Sequence, residues 1–180
     1  MHPDADRDEW LMARTALGER EPLGTLARRY AGPLVGFLAR MVGDAHTAEE
    51  LFQDVFLAVW RRRGQYQFPR PFKAWLYAIA VNRGRAAFRS RRSALPLPDV
   101  PPADPAASPA DVAIAAETAQ RIAAAIGRLP PKQRAVVALR VWDEMSYAEI
   151  AGIVGGNEAT VRSHMYHGLK AVRADVGDLS

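Results

Sequence analysis

Six prolines fall within residues 93–111, together with three aspartates, several alanines and almost no large apolar side chain. Proline fixes φ and donates no backbone hydrogen bond, so a stretch this rich in it cannot form a helix interior or a central strand. With too little apolar surface to build a core, it reads as an extended linker. A polyproline-like conformation would let it reach roughly 60 Å at about 3.1 Å per residue. The chain is thereby divided into residues 8–92 and 112–177. Both segments carry apolar side chains at helical rather than alternating spacing. The expected fold is therefore all-α, with two small helical domains joined by a Pro/Ala-rich linker. At 180 residues and 49% apolar composition, the chain can support two such cores.

In the first segment, Trp10, Leu11 and Leu17 mark a short amphipathic helix over 8–17. A second helix is predicted over 22–41, where Gly32-Pro33 predicts a kink or a break. Thr47 followed by Glu50 reads as a capping box opening a third helix over 48–61. Its Leu51, Phe52, Val55, Phe56 and Val59 point inward, which leaves Glu49, Glu50, Gln53 and Asp54 on the outside. Residues 62–71, with Gly64, Pro69 and Pro71, read as a loop before a helix over 72–91.

Charge is distributed unevenly along this segment. Ten basic residues and no acidic residue lie between Arg61 and Arg92, interleaved with Tyr66, Phe68, Phe72, Trp75, Tyr77 and Phe88. An ordinary solvated face mixes signs, and a run of this kind repels itself unless an anion is its partner. Cations that neutralise phosphate, beside rings on which bases can stack, suit nucleic acid whose bases are at least partly unpaired. Trp75, Leu76 and Ile79, by contrast, have the spacing of core residues. Residues 1–92 hold sixteen basic and ten acidic side chains, so the positive charge is concentrated in this first half.

The second segment predicts helices over 112–127 and 132–141, separated at Leu129-Pro130-Pro131. Ser146 with Glu149 forms a capping box for a helix over 147–154, and Gly155-Gly156 ends it. Asn157 caps a helix over 158–176 whose Val161, Met165, Leu169 and Val172 face inward. A short helix, a glycine turn and a longer helix make a helix-turn-helix. The outer face of the longer helix carries Thr160, Arg162, Ser163, His164, Tyr166, His167 and Lys170, side chains that can read a major groove.

The chain contains no cysteine, which excludes disulfides, thiolate metal sites and cysteine nucleophiles. His164 and His167 have no further ligand-type neighbours, so no metal or other cofactor is expected. Nothing supplies a nucleophile or a phosphate-cradling glycine loop, so no enzyme is expected. The polar first ten residues and the lack of an apolar run of transmembrane length predict a cytoplasmic protein with no membrane insertion.

Two sets of residues carry a family resemblance. Ala48-Glu49-Glu50-Leu51-Phe52-Gln53-Asp54-Val55-Phe56-Leu57-Ala58-Val59-Trp60 and Phe72-Lys73-Ala74-Trp75-Leu76-Tyr77-Ala78-Ile79-Ala80-Val81-Asn82 resemble region 2 of the extracytoplasmic-function sigma factors. Leu129-Pro130, Gln133-Arg134, Ser146-Tyr147-Ala148-Glu149-Ile150-Ala151 and Thr160-Val161-Arg162-Ser163 resemble their region 4. The resemblance implies a dissociable initiation subunit of bacterial RNA polymerase that does no chemistry itself. It places Glu50, Gln53 and Asp54 on the β′ clamp coiled coil of core RNA polymerase. Tyr66 and Asn82 would line a pocket for an extruded base of the −10 element of promoter DNA, with Lys73, Arg83, Arg85 and Arg89 on phosphates. Arg162, Ser163, Tyr166 and His167 would read the −35 element as duplex. An anti-sigma factor that sequesters the protein is a further partner common in that family. Ala159, His164, His167, Gly168 and Gly84 depart from the family pattern. The competing reading is an autonomous helix-turn-helix regulator whose first half only dimerises, and an RNA-binding protein is a third.

Overall fold

A computed structural model describes residues 7–90 and 109–177, with the side chains of 109–115 excepted. Eight α-helices account for nearly all of these residues, and no strand occurs among them. The sequence-predicted linker lies, over 93–108, outside the described residues, as does the predicted end of the basic helix at Arg91; its last three residues, 109–111, are not linker but open α5, with Pro109 at the helix start where its missing N–H costs nothing.

The first half comprises α1 (Asp8–Ala16), α2 (Glu21–Val42), α3 (Ala45–Arg61) and α4 (Phe72–Ser90). α2 is central: α1, α3 and α4 all pack on it, around Leu26, Leu34, Phe37, Leu38 and Met41. It runs unbroken through Pro33. Both Pro33 and Arg29, whose carbonyl loses the proline's missing N–H, are exposed, so water can take that hydrogen bond. The helix ends at Gly43, whose φ of 76° is the left-handed conformation that glycine adopts without strain. α3 is capped by Asp44 and not by Thr47: the Asp44 carboxylate accepts from the Thr47 backbone N–H at 2.9 Å. Thr47 is itself buried in the first turn.

In the second half, α5 (Pro109–Arg128) and α6 (Pro131–Val141) lead into α7 (Tyr147–Val154) and α8 (Glu158–Val176). The capping box of Ser146 and Glu149 is formed in both directions, and the Asn157 side chain accepts from the Thr160 N–H. Both caps stand where the sequence predicts them. α6 is enclosed by α7, α8 and α2, and so Arg134 through Leu139 are all buried.

The two halves touch. α4 packs on α7, and α2 packs on α6. The Tyr77 hydroxyl of α4 donates to Asp143 at 2.5 Å, and Arg40 lies 4.7 Å from the Trp142 ring. Arg134, 1% exposed, donates to the carbonyl of Met41 at the end of α2 at 2.7 Å. It also donates to the carbonyls of Gly127 and Leu129 at the end of α5, while Phe88 stacks on it at 4.3 Å. One cation thus closes the carbonyl ends of two helices from different halves, where the helix dipole is negative. Burial, with no carboxylate among the described residues to offset it, lowers its pKa from 12.5 to about 10.

Candidate nucleic-acid and partner interfaces

Three surfaces carry the residues singled out in the sequence. On α3, Glu49, Glu50, Gln53 and Asp54 are all exposed, as the helical spacing predicts. Beside them runs an apolar groove of about 410 Å³, lined by Arg20, Leu23, Phe52, Gln53, Phe56, Leu57 and Trp60. Phe52 lines this groove and is only half-buried, while Leu57 is 50% exposed. Arg20 and Arg63 both lie over the Trp60 ring, at 5.7 and 4.2 Å. The groove was missed in the sequence. Its signal is the pair Leu57 and Trp60, two large apolar residues at positions facing away from the core.

The second surface is the loop before α4 and the outer edge of α4. Asn82, Arg85 and Arg89 recur at three- and four-residue spacing and share one edge; Asn82 and Arg89 are exposed, and Arg85 is half-buried. Arg83 is half-buried beside them. Lys73, nine residues before Asn82, is exposed about half a turn away around the axis. Its ammonium lies 5.9 Å from the Tyr77 ring and attracts the Asp143 and Glu149 carboxylates of the second half. Tyr66 is 8% exposed, wedged edge-on against Trp75 and Phe72, and its hydroxyl donates to the Arg70 carbonyl. Burial raises its pKa to about 12. The rings this region offers to solvent are instead Phe68 and Trp10, 47% and 44% exposed, with centroids 4.9 Å apart. Nearby acids are turned inward: Glu9 accepts from the Phe72 N–H, and Asp8 is held by Arg29 and Tyr30.

The third surface is α8. Val161 and Met165 anchor it, whereas Thr160, Arg162, Ser163, Tyr166, His167 and Lys170 are exposed and His164 is half-buried. Thr160 is partly engaged in the cap, its hydroxyl donating to Asn157 at 3.0 Å. Tyr166 and His167 meet edge-to-face at 5.3 Å. Gly168 stands where α8 crosses α6. A Cβ there would lie 2.9 Å from a Val137 methyl carbon, which explains the missing side chain.

Residues 26–94 match the family model "Sigma-70 region 2", and residues 119–172 match "Sigma-70, region 4". The chain is 32% identical over 177 residues to RNA polymerase sigma factor CarQ of Myxococcus xanthus, covering 93% of this chain and 97% of the relative. The chain belongs to the sigma-70 family. Its relatives place it among the extracytoplasmic-function sigma factors. The ECF RNA polymerase sigma factor SigE of Mycolicibacterium smegmatis is 34% identical, over 82% of this chain and 59% of the relative. Among solved structures, that of CnrH in complex with the cytosolic domain of CnrY superposes with a TM-score of 0.71 at 25% identity. It covers 96% of this chain and 99% of that one. This sigma factor directs RNA polymerase to specific promoters for transcription initiation. The region 2 match decides against an autonomous regulator, since the first half is itself a sigma domain. Among the described residues no helix is long and apolar enough to cross a membrane, and no group of His, Asp and Glu is placed to hold a metal ion.

Proposed function

We propose that the three surfaces divide the work of a sigma factor that performs no chemistry of its own and acts in the cytoplasm. The outer face of α3, with Glu50, Gln53 and Asp54 beside the apolar groove, takes the β′ clamp coiled coil of core RNA polymerase. Such a joint combines buried apolar area with a charged rim. The α4 edge of Asn82, Arg83, Arg85 and Arg89, with Lys73 and the loop containing Tyr66, holds the melted −10 element. Tyr66 acts there by shaping the loop, since its ring and hydroxyl are already engaged. The exposed row from Thr160 to Lys170 on α8 reads the −35 element in the major groove. The domains behind these roles span 8–92 and 109–177, the second opening with α5, and the residues between them form the linker.

The observation that supports this reading is the apolar groove beside Gln53, where Leu57 and Phe52 stay partly exposed next to the acidic Glu49, Glu50 and Asp54. The test is association with core polymerase. Asp54→Arg and Gln53→Ala are expected to abolish it without unfolding the chain, and retained binding by both would remove α3 from the docking role. An anti-sigma partner is also proposed. CnrH was solved with the cytosolic domain of CnrY, and the sigma factor RpoE of Bartonella quintana with the anti-sigma factor NepR. Co-purification of a protein that competes with core polymerase would support this.

A further inference from the structure

Arg162 is not a free arginine on an open helix face. Its guanidinium carbon lies 4.5 Å from the centroid of the Tyr147 ring, which belongs to the first residue of α7. That ring is itself fixed. The Ser146–Glu149 capping box sets the backbone at its root, its body packs on the core, and Arg140 flanks it at 5.2 Å. Arg140 in turn donates to the Met145 carbonyl at 3.0 Å. One Nη2 of Arg162 also lies 3.4 Å from Glu158, a long and exposed contact.

We infer that Tyr147 positions Arg162 for reading a base, an inference that rests on the assignment of α8 to the −35 element. A guanidinium stacks through its face and donates through its edge. Held over the Tyr147 ring, Arg162 can turn its edge N–H groups toward two parallel bonds to guanine O6 and N7, the commonest arginine contact in a major groove. Unrestrained, the same side chain would have to lose its rotamer freedom when DNA arrives. The ring removes that freedom in advance, and preorganisation of this kind strengthens binding without adding a contact to the ligand. The exposed Glu158 contact yields when the base enters. Tyr147 is thus a positioning residue whose effect is confined to the base pair read by Arg162.

The experiment uses holoenzyme assembled from full-length protein and core polymerase. The probe is a promoter duplex selected from a library randomised in the upstream element, compared with its single-base variants. The readout is the affinity ratio between the selected duplex and the variant at the position read by Arg162, which a loss of folded protein would not change. Arg162→Ala should reduce that ratio by about 5- to 150-fold, the range for one bidentate base contact. Tyr147→Leu, which keeps an apolar side chain against the core, should reduce it by about two- to fivefold, the worth of an exposed cation–π contact. Tyr147→Phe should restore it, and Tyr147→Leu should have no effect on the ratio in the Arg162→Ala background. A ratio unchanged by Tyr147→Leu while Arg162→Ala collapses it would overturn the inference and leave the α8 assignment standing. An effect of Tyr147→Leu that persists without Arg162 would also overturn it. No effect of Arg162→Ala would remove the assignment itself, and the inference with it.

Discussion

Replacing Arg134 by methionine, which keeps an unbranched apolar stem in place of the buried guanidinium, tests how the two halves are held. The substitution leaves the carbonyls of Met41, Gly127 and Leu129 without their donor and removes the stack on Phe88. A hydrogen bond from a charged donor contributes about 1.5–3 kcal/mol, so the three sum to roughly 5–9 kcal/mol at most. Against this, the buried cation is costly. Its pKa falls from 12.5 to about 10, and at about 1.4 kcal/mol per unit, removing it relieves roughly 3 kcal/mol. The net prediction is a loss of about 2–6 kcal/mol. The assay is urea unfolding at neutral pH, comparing midpoints with slopes checked for two-state behaviour. Arg128→Met is the control: it breaks only the exposed ion pair with Asp175 at 3.2 Å and should change stability by less than about 1 kcal/mol. An Arg134→Met variant as stable as the parent would refute the claim that this guanidinium ties the ends of α2 and α5 together.

Other outcomes follow from the same packing. Burial raises the pKa of Asp143, although the Tyr77 hydroxyl, Lys73 and Arg40 oppose the shift. A carboxyl group with a raised folded-state pKa stabilises the fold most below its ordinary value of 3.8, and that contribution is lost as pH rises through the raised value. Asp143→Asn keeps an acceptor for Tyr77 and removes the titration; melting temperatures should then lose this pH dependence, with stability at pH 7 equal or higher by up to about 1 kcal/mol. Gly168→Ala should destabilise by about 1–3 kcal/mol, because the Val137 contact at 2.9 Å outweighs a gain of about 1 kcal/mol in helix propensity; a stabilised variant would contradict the packing. Phe68→Ala should cost about 0.5–1.5 kcal/mol of stability through the lost Trp10 contact, while weakening holoenzyme binding to a pre-melted promoter by about 1–3 kcal/mol, the worth of one stacked base. Equal binding by the variant would exclude the exposed ring from the −10 site.

Much of the fold was legible because local rules governed it. Ser146 with Glu149 and Asn157 with Thr160 are short-range devices, and each closed as the residues predict. Asp44 was missed as a cap because Thr47 satisfies the same chemistry three residues later, and Ala45 and His46 between them carry no apolar signal. The burial of Arg134 in α6 is not marked by helical periodicity: enclosed by α2, α7 and α8, this helix buries six consecutive residues, Arg134 through Leu139. Gly84 is a poor helix former by its residue type and Gly168 departs from the family pattern, whereas both are points of close approach, to Met41 and Val137, which only the folded chain reveals. At the sites, exposure of Gln53, Arg89 and Arg162 followed from helical spacing, while Asn82 was placed by the family resemblance. Burial of Tyr66 did not, since a loop has no period from which its inward side can be read.

The account rests on one chain carrying two separate readers of promoter DNA. The most direct measurement is sequencing of transcripts made by core polymerase from a randomised promoter library, with the parent protein and with Arg162→Ala. The parent should select start sites preceded by two sequence blocks, and the variant should lose preference within the upstream block while keeping the downstream one. A single block, or an α8 substitution that changes the downstream preference, would contradict the division of labour between α4 and α8.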